Sequence, residues 1–116
     1  MAVRIDVSEQ LEHEWSRWLE QRAVRLEQGD NLRAERQVDH TLLFHRRWHA
    51  NRAVRIIAQS RSVRLMRTNG HPRWIIEASC PDDLEDRSVR HSLEFMLAVA
   101  QSCRGTYDGF GAPLVR

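Results

Sequence analysis

Apolar and polar positions alternate along this chain with two different periods, and the places where the period changes mark its elements. Over residues 8–28 the apolar side chains Leu11, Trp15, Trp18, Leu19, Ala23 and Leu26 recur at steps of three and four, the spacing of one helix face. Ser8 is placed to cap that helix, Glu9, Glu12 and Glu14 lie near the positive end of its dipole, and Gly29-Asp30-Asn31 ends it. From Arg36 to His45 the period drops to two. Val38, His40, Leu42 and Phe44 then share one face, while Gln37, Asp39, Thr41 and Leu43 share the other. The Leu42-Leu43-Phe44 end is expected to be buried on both faces, as in a central strand.

Helical spacing returns from Trp48 to Ser60 through Ala50, Ala53, Val54 and Ile57. Ser62 to Arg67 alternates again and, with arginines between Val63 and Leu65, reads as an edge strand with a wet outer face. The turn Thr68-Asn69-Gly70-His71-Pro72 is expected to use positive φ at Asn-Gly, and a strand from Arg73 to Ser79 returns through Trp74, Ile75 and Ile76. Pro81 to Glu85 reads as a helix start, with Asp82 and Glu85 in capping-box spacing. The helix is expected to run to about Ser102 and to bury Val89, Leu93, Met96, Leu97 and Ala100, with Gly105 ending it in a left-handed conformation. A short extended stretch, Ala112 to Val115, follows the Tyr107-Asp108-Gly109-Phe110-Gly111 segment.

The order is a helix followed by β-α-β-β-α-β. Right-handed crossovers fold that order into an α+β, ferredoxin-like arrangement: a four-stranded antiparallel sheet with two helices on one face and an extra N-terminal helix. The first and third strands are expected in the middle. Residues 1–31 form the helical segment in this reading, and residues 32–116 the ferredoxin-like domain. The 116 residues leave room for one core.

Composition narrows the function classes. All 18 basic residues are arginine, against 16 acids, a net charge of +2. A GC-rich coding bias accounts for arginine in place of lysine, and solvated faces account for most of the charge. The run from Arg46 to Arg55, which includes Trp48, is read in the same way, as an outer helix face with packed arginine stems. Its alternative is a patch for phosphates or for an acidic protein segment. The opening residues lack the apolar stretch of a signal peptide, and no apolar run approaches the roughly 20 residues that span a bilayer. The expected location is the cytoplasm, with no membrane contact. Cys80 and Cys103 are therefore read as thiols.

No catalytic motif is present. The glycines are not spaced as a phosphate loop, and no nucleophile elbow occurs. His45 and His49 have metal-ligand spacing, but no cysteine pair or carboxylate group accompanies them, so no metal or other cofactor is expected. Asp39 and His40 are adjacent in a strand and point to opposite faces, which rules them out as an acid–base pair with each other. The expectation is a protein without enzyme activity.

Two stretches carry a resemblance. Val38-Asp39-His40 is similar to the start of the regulator of ribonuclease E activity B family. The segment from Leu97 to Gly111, ending in Tyr107-Asp108-Gly109-Phe110-Gly111, is similar to that family's closing Tyr-Asp-Gly-Trp-Gly signature, with Phe110 in place of the tryptophan. Element order matches from about Arg33 to Val115. The resemblance implies a ferredoxin-like fold and a regulator that binds a ribonuclease E-type endoribonuclease and inhibits it. Its best-known members add an acidic C-terminal extension, whereas this sequence stops at Arg116. The partner-binding candidates are Asp39, His40, Tyr107, Asp108, Gly109 and Phe110. The two aromatics have a second reading, as plugs of the core. A protein partner is expected ahead of RNA, homo-oligomerisation stays open, and the alternatives are an RNA-binding module or a toxin-neutralising immunity protein.

Overall fold

The computed structural model describes residues 7–116; the reading of Met1 to Asp6 as free of a signal sequence lies outside them. The chain runs α1 (Val7–Glu27), β1 (Arg36–Phe44), α2 (Arg47–Ile57), β2 (Ser62–Arg67), β3 (Trp74–Asp82), α3 (Asp86–Ser102) and β4 (Thr106–Gly111). The strands form one antiparallel sheet in the order β2-β3-β1-β4, so β1 and β3 are central. This is the expected ferredoxin-like topology with an added N-terminal helix.

The period-two reading of β1 translates directly into burial. Val38, His40, Leu42 and Phe44 are buried beneath α2 and α3, and Gln37, Asp39, Thr41 and Leu43 face the other way. Against them pack Ala50, Ala53 and Ile57 of α2 and Val89, Leu93, Met96, Leu97 and Ala100 of α3, the stripe read from the sequence. Both cysteines are free thiols, and Cys103 is buried.

Several boundaries differ from the sequence reading, each for a physical reason. β3 continues through Pro81 and Asp82, which pair with Gln37 and Arg36. Beyond Ser79 no β2 residue lies alongside, so a residue with no N–H is tolerated there. The expected capping box does not form. Asp82 instead accepts the Asp83 amide, Asp83 accepts the Glu85 amide, and α3 starts at Asp86. Gly70 does not take positive φ; the β2–β3 turn holds a cis His71–Pro72 bond and is closed by the Thr68 amide donating to the Arg73 carbonyl at 2.7 Å. Ser8 lies inside the first turn of α1.

At the end of α3 the left-handed residue is Arg104, at φ 57°, instead of Gly105. The amide of Gly105 donates to the Ala100 carbonyl at 2.7 Å and that of Arg104 to the Gln101 carbonyl at 3.3 Å, the paired bonds of a Schellman ending. Gly105 is required for another reason. A Cβ there would lie 2.3 Å from the Phe44 ring, which is fully buried.

α1 lies against α3, and its inward face departs from the apolar count. Leu11, Trp15 and Trp18 face inward, Trp18 with 1% exposure. The stripe then continues at the same steps through Arg22 and Arg25, while Leu19 and Leu26 are exposed. Arg22 pairs with Asp86, whose other oxygen accepts the Trp18 indole N–H at 3.0 Å. Arg25 enters a buried ion network. Asp30, its carboxylate fully enclosed, accepts Arg25 at 3.0 Å and Arg36 at 2.6 Å, and the Val115 amide as well. The same two guanidiniums reach the carbonyls of Ala112 and Pro113, so one carboxylate joins the end of α1, the start of β1 and the C-terminal tail.

Burial alone would raise the Asp30 pKa; the bonds from Arg36, Val115 and Arg25 outweigh it and hold the carboxyl below its usual 3.8. Asp30→Ala leaves two buried cations unmatched and is expected to cost about 3–5 kcal/mol in urea unfolding. Because the folded pKa is the lower one, the Asp30 contribution is complete above the unfolded value and is lost as pH falls through the folded value. Acid titration of the variant should lack that component.

Candidate functional site

β4 is the signature segment itself, not a turn leading to a later strand at Ala112–Val115. Tyr107 lies opposite Leu42, and Phe110 opposite His40. One residue separates the pair on β1 and two separate the pair on β4, so Asp108 and Gly109 form a bulge. A regular strand would send residues three apart to opposite faces. The extra residue returns Phe110 to the same face as Tyr107. Gly109 makes this possible with φ 101°, a conformation costly to any residue with a Cβ.

Both aromatics therefore meet His40. The Tyr107 hydroxyl and His40 Nδ1 are hydrogen-bonded at 2.8 Å, and the Phe110 ring lies 5.4 Å from the imidazole, centroid to centroid. On its other side Phe110 is 5.9 Å from Trp18, so the β4 aromatics also seat α1. Tyr107 is buried and Phe110 half-buried, the position that the core-plug reading gives them. Burial first, and the Arg61 charge second, lower the His40 pKa from 6.5 to about 4, which keeps the ring neutral. Burial also pushes the Tyr107 hydroxyl far up. His40 Nε2 has no hydrogen-bond partner among the described residues.

Asp39 points through the sheet to the opposite face, where it accepts the Ser79 hydroxyl. No helix among the described residues covers that face, so Leu43 is half-buried there instead of enclosed. The pairing registers lay three rows across it: Thr106, Leu43, Ile75 and Met66; Thr41, Glu77 and Arg64; and Gly111, Asp39, Ser79 and Ser62. Arg64 and Glu77 form an ion pair at 3.2 Å. Asp108 is exposed on the free edge. The six candidate residues thus divide: His40 and Tyr107 are buried with Phe110 half-buried against His40, Gly109 shapes the bulge, Asp39 is half-buried on the open face and Asp108 is exposed. The open-face row of Leu43, Ile75 and Met66 was not singled out from the sequence, although Leu43 carried the signal as the apolar residue on the far side of β1.

Among the described residues no three His, Cys, Asp or Glu side chains gather where a metal could be held, and no helix is long and apolar enough to cross a membrane.

Two measurements check this arrangement. Gly109→Ala should lower the unfolding free energy by about 1–3 kcal/mol, the cost of forcing a Cβ into that backbone region. His40 is depressed, so its contribution is complete above pH 6.5 and falls as pH drops from 6.5 toward 4, by about 3 kcal/mol at roughly 1.4 kcal/mol per pH unit. Stability measured across that window should fall less steeply in His40→Gln than in the native protein, the difference approaching one proton.

No curated protein matches the chain. The model of the family described as regulator of ribonuclease activity B matches residues 22–112, which runs from the second half of α1 through the signature strand and includes both stretches that carried the resemblance. By this match the chain belongs to the regulator of ribonuclease activity B family.

Proposed function

We propose that this protein binds a ribonuclease E-type endoribonuclease in the cytoplasm and inhibits RNA cleavage by occlusion or allostery, without chemistry of its own. The family regulates ribonuclease activity. The observation that carries the finer reading is the sheet face that no described helix covers. It offers an apolar row, Leu43, Ile75 and Met66, beside the Arg64–Glu77 pair and the Asp39 carboxylate. An apolar strip bordered by charges of both signs is the chemistry of a protein contact, where the buried strip supplies affinity and the charges supply register.

In this reading residues 32–116 are the binding unit, and α1 braces it from the helix side. Asp39 and Asp108 touch the partner. His40, Tyr107, Gly109 and Phe110 act through them by fixing the relative position of β1 and β4.

The test is cleavage of a labelled RNA by a purified ribonuclease E-type enzyme in the presence of this protein. Native protein should slow cleavage, and the double variant Asp39→Arg, Asp108→Arg should need at least about tenfold more protein for the same effect, while its melting temperature stays close to native. Full inhibition by the double variant would remove these carboxylates from the interface. No inhibition by native protein would remove the E-type target.

A further inference from the structure

The charges are less evenly mixed than the totals suggest. Between Asp39 and Glu77 the chain holds eight of its arginines and not one carboxylate. This stretch includes α2, and the fold brings a further arginine to it from far along the sequence. Arg52 of α2 and Arg104, just beyond α3, line one open recess together with Ala98, Gln101 and Ser102. None of Arg46, Arg52 and Arg104 has an ion-pair partner among the described residues, whereas seven other arginines do. His49, half-buried, has its pKa lowered by burial and then by the charges of Arg104, Arg46 and Arg52.

Next to His49 lies Trp48. Its ring centroid is 3.9 Å from the imidazole, and the indole is 64% exposed, the most exposed large apolar side chain among the described residues. The other three tryptophans are buried or half-buried. Arg104 adds a third observation. It occupies the left-handed position that closes α3, where glycine is the unstrained choice, and it lines the recess.

We propose that this recess and the Trp48 indole form a binding site for single-stranded RNA. Arg46, Arg52 and Arg104 hold the phosphates, for which the guanidinium fork is well matched, and Trp48 stacks on a base. An acidic protein segment would satisfy the arginines equally well, but every nucleotide of RNA pairs a phosphate with a flat base for the exposed indole, and that favours RNA. The site lies on the helix side of the sheet, away from the open face assigned to the ribonuclease, and stands or falls independently of it.

Fluorescence anisotropy with a labelled ten-nucleotide oligouridylate provides the test. Native protein should bind, and affinity should fall roughly twenty-fold between 50 and 200 mM salt if three phosphates are neutralised on a single strand. Trp48→Ala should weaken binding about tenfold. Arg52→Glu should abolish it, while Arg87→Glu, a charge reversal at the opposite end of α3, should leave it as native. Arg104→Gly gives the sharpest reading: affinity should fall although the melting temperature does not, since glycine suits that backbone better.

No binding at 50 mM salt overturns the proposal. So does Trp48→Ala binding like the native protein while polyglutamate displaces the oligonucleotide, because the recess is then a site for acidic protein. Equal loss in Arg87→Glu and Arg52→Glu would also overturn it, as attraction to net charge alone.

Discussion

Strand β1 is hydrogen-bonded along both edges, to β3 and to β4, and its two faces meet different surroundings. One face must fit beneath two helices, and the other borders solvent. A slip of one residue would exchange Val38, His40, Leu42 and Phe44 for Gln37, Asp39, Thr41 and Leu43. The register therefore has to be fixed from both sides. On the β3 side nine consecutive pairs fix it. On the β4 side the hydrogen bond between His40 and Tyr107 and the contact of Phe110 with the same ring can form only when the bulge falls opposite Thr41.

This explains which parts of the molecule could be read in advance. β2 was bounded correctly, and β1 to within one residue, because a strand with one buried face writes its period into the sequence. The buried stripe of α3 was legible for the same reason. β4 was not legible as a strand, because Tyr107 and Phe110 are three apart and fit no alternation until the bulge is known. The inward face of α1 was misread past Trp18, because Arg22 and Arg25 occupy positions that an apolar count passes over. Their partners Asp86 and Asp30 become evident only in three dimensions. Arg104 illustrates both difficulties: its backbone position was assigned to the neighbouring glycine, and its nearness to Arg52 depends on how α2 and α3 pack.

The Asp30 network resolves how a chain with so many arginines can bury two of them. Arg25 and Arg36 share one carboxylate and use their remaining N–H groups on backbone carbonyls of the tail, so each charge is matched while the segment after β4 gains partners. Polar residues accomplish here what the apolar stripe accomplishes beneath the sheet. They attach the first and last parts of the described chain to one point.

The bulge has a further effect on the border of the sheet. An open sheet ends in two unpaired strands, and each offers backbone groups on which a second molecule could grow a new strand. In β4 the doubled residues Asp108 and Gly109 break the even spacing of those groups and place a carboxylate outward. At the far border β2 is six residues long and exposes Arg64 and Arg67. The feature that orients two rings inward thus also leaves the outer rim a poor template for fibril growth, and a variant that straightened β4 would be expected to lose solubility as well as stability.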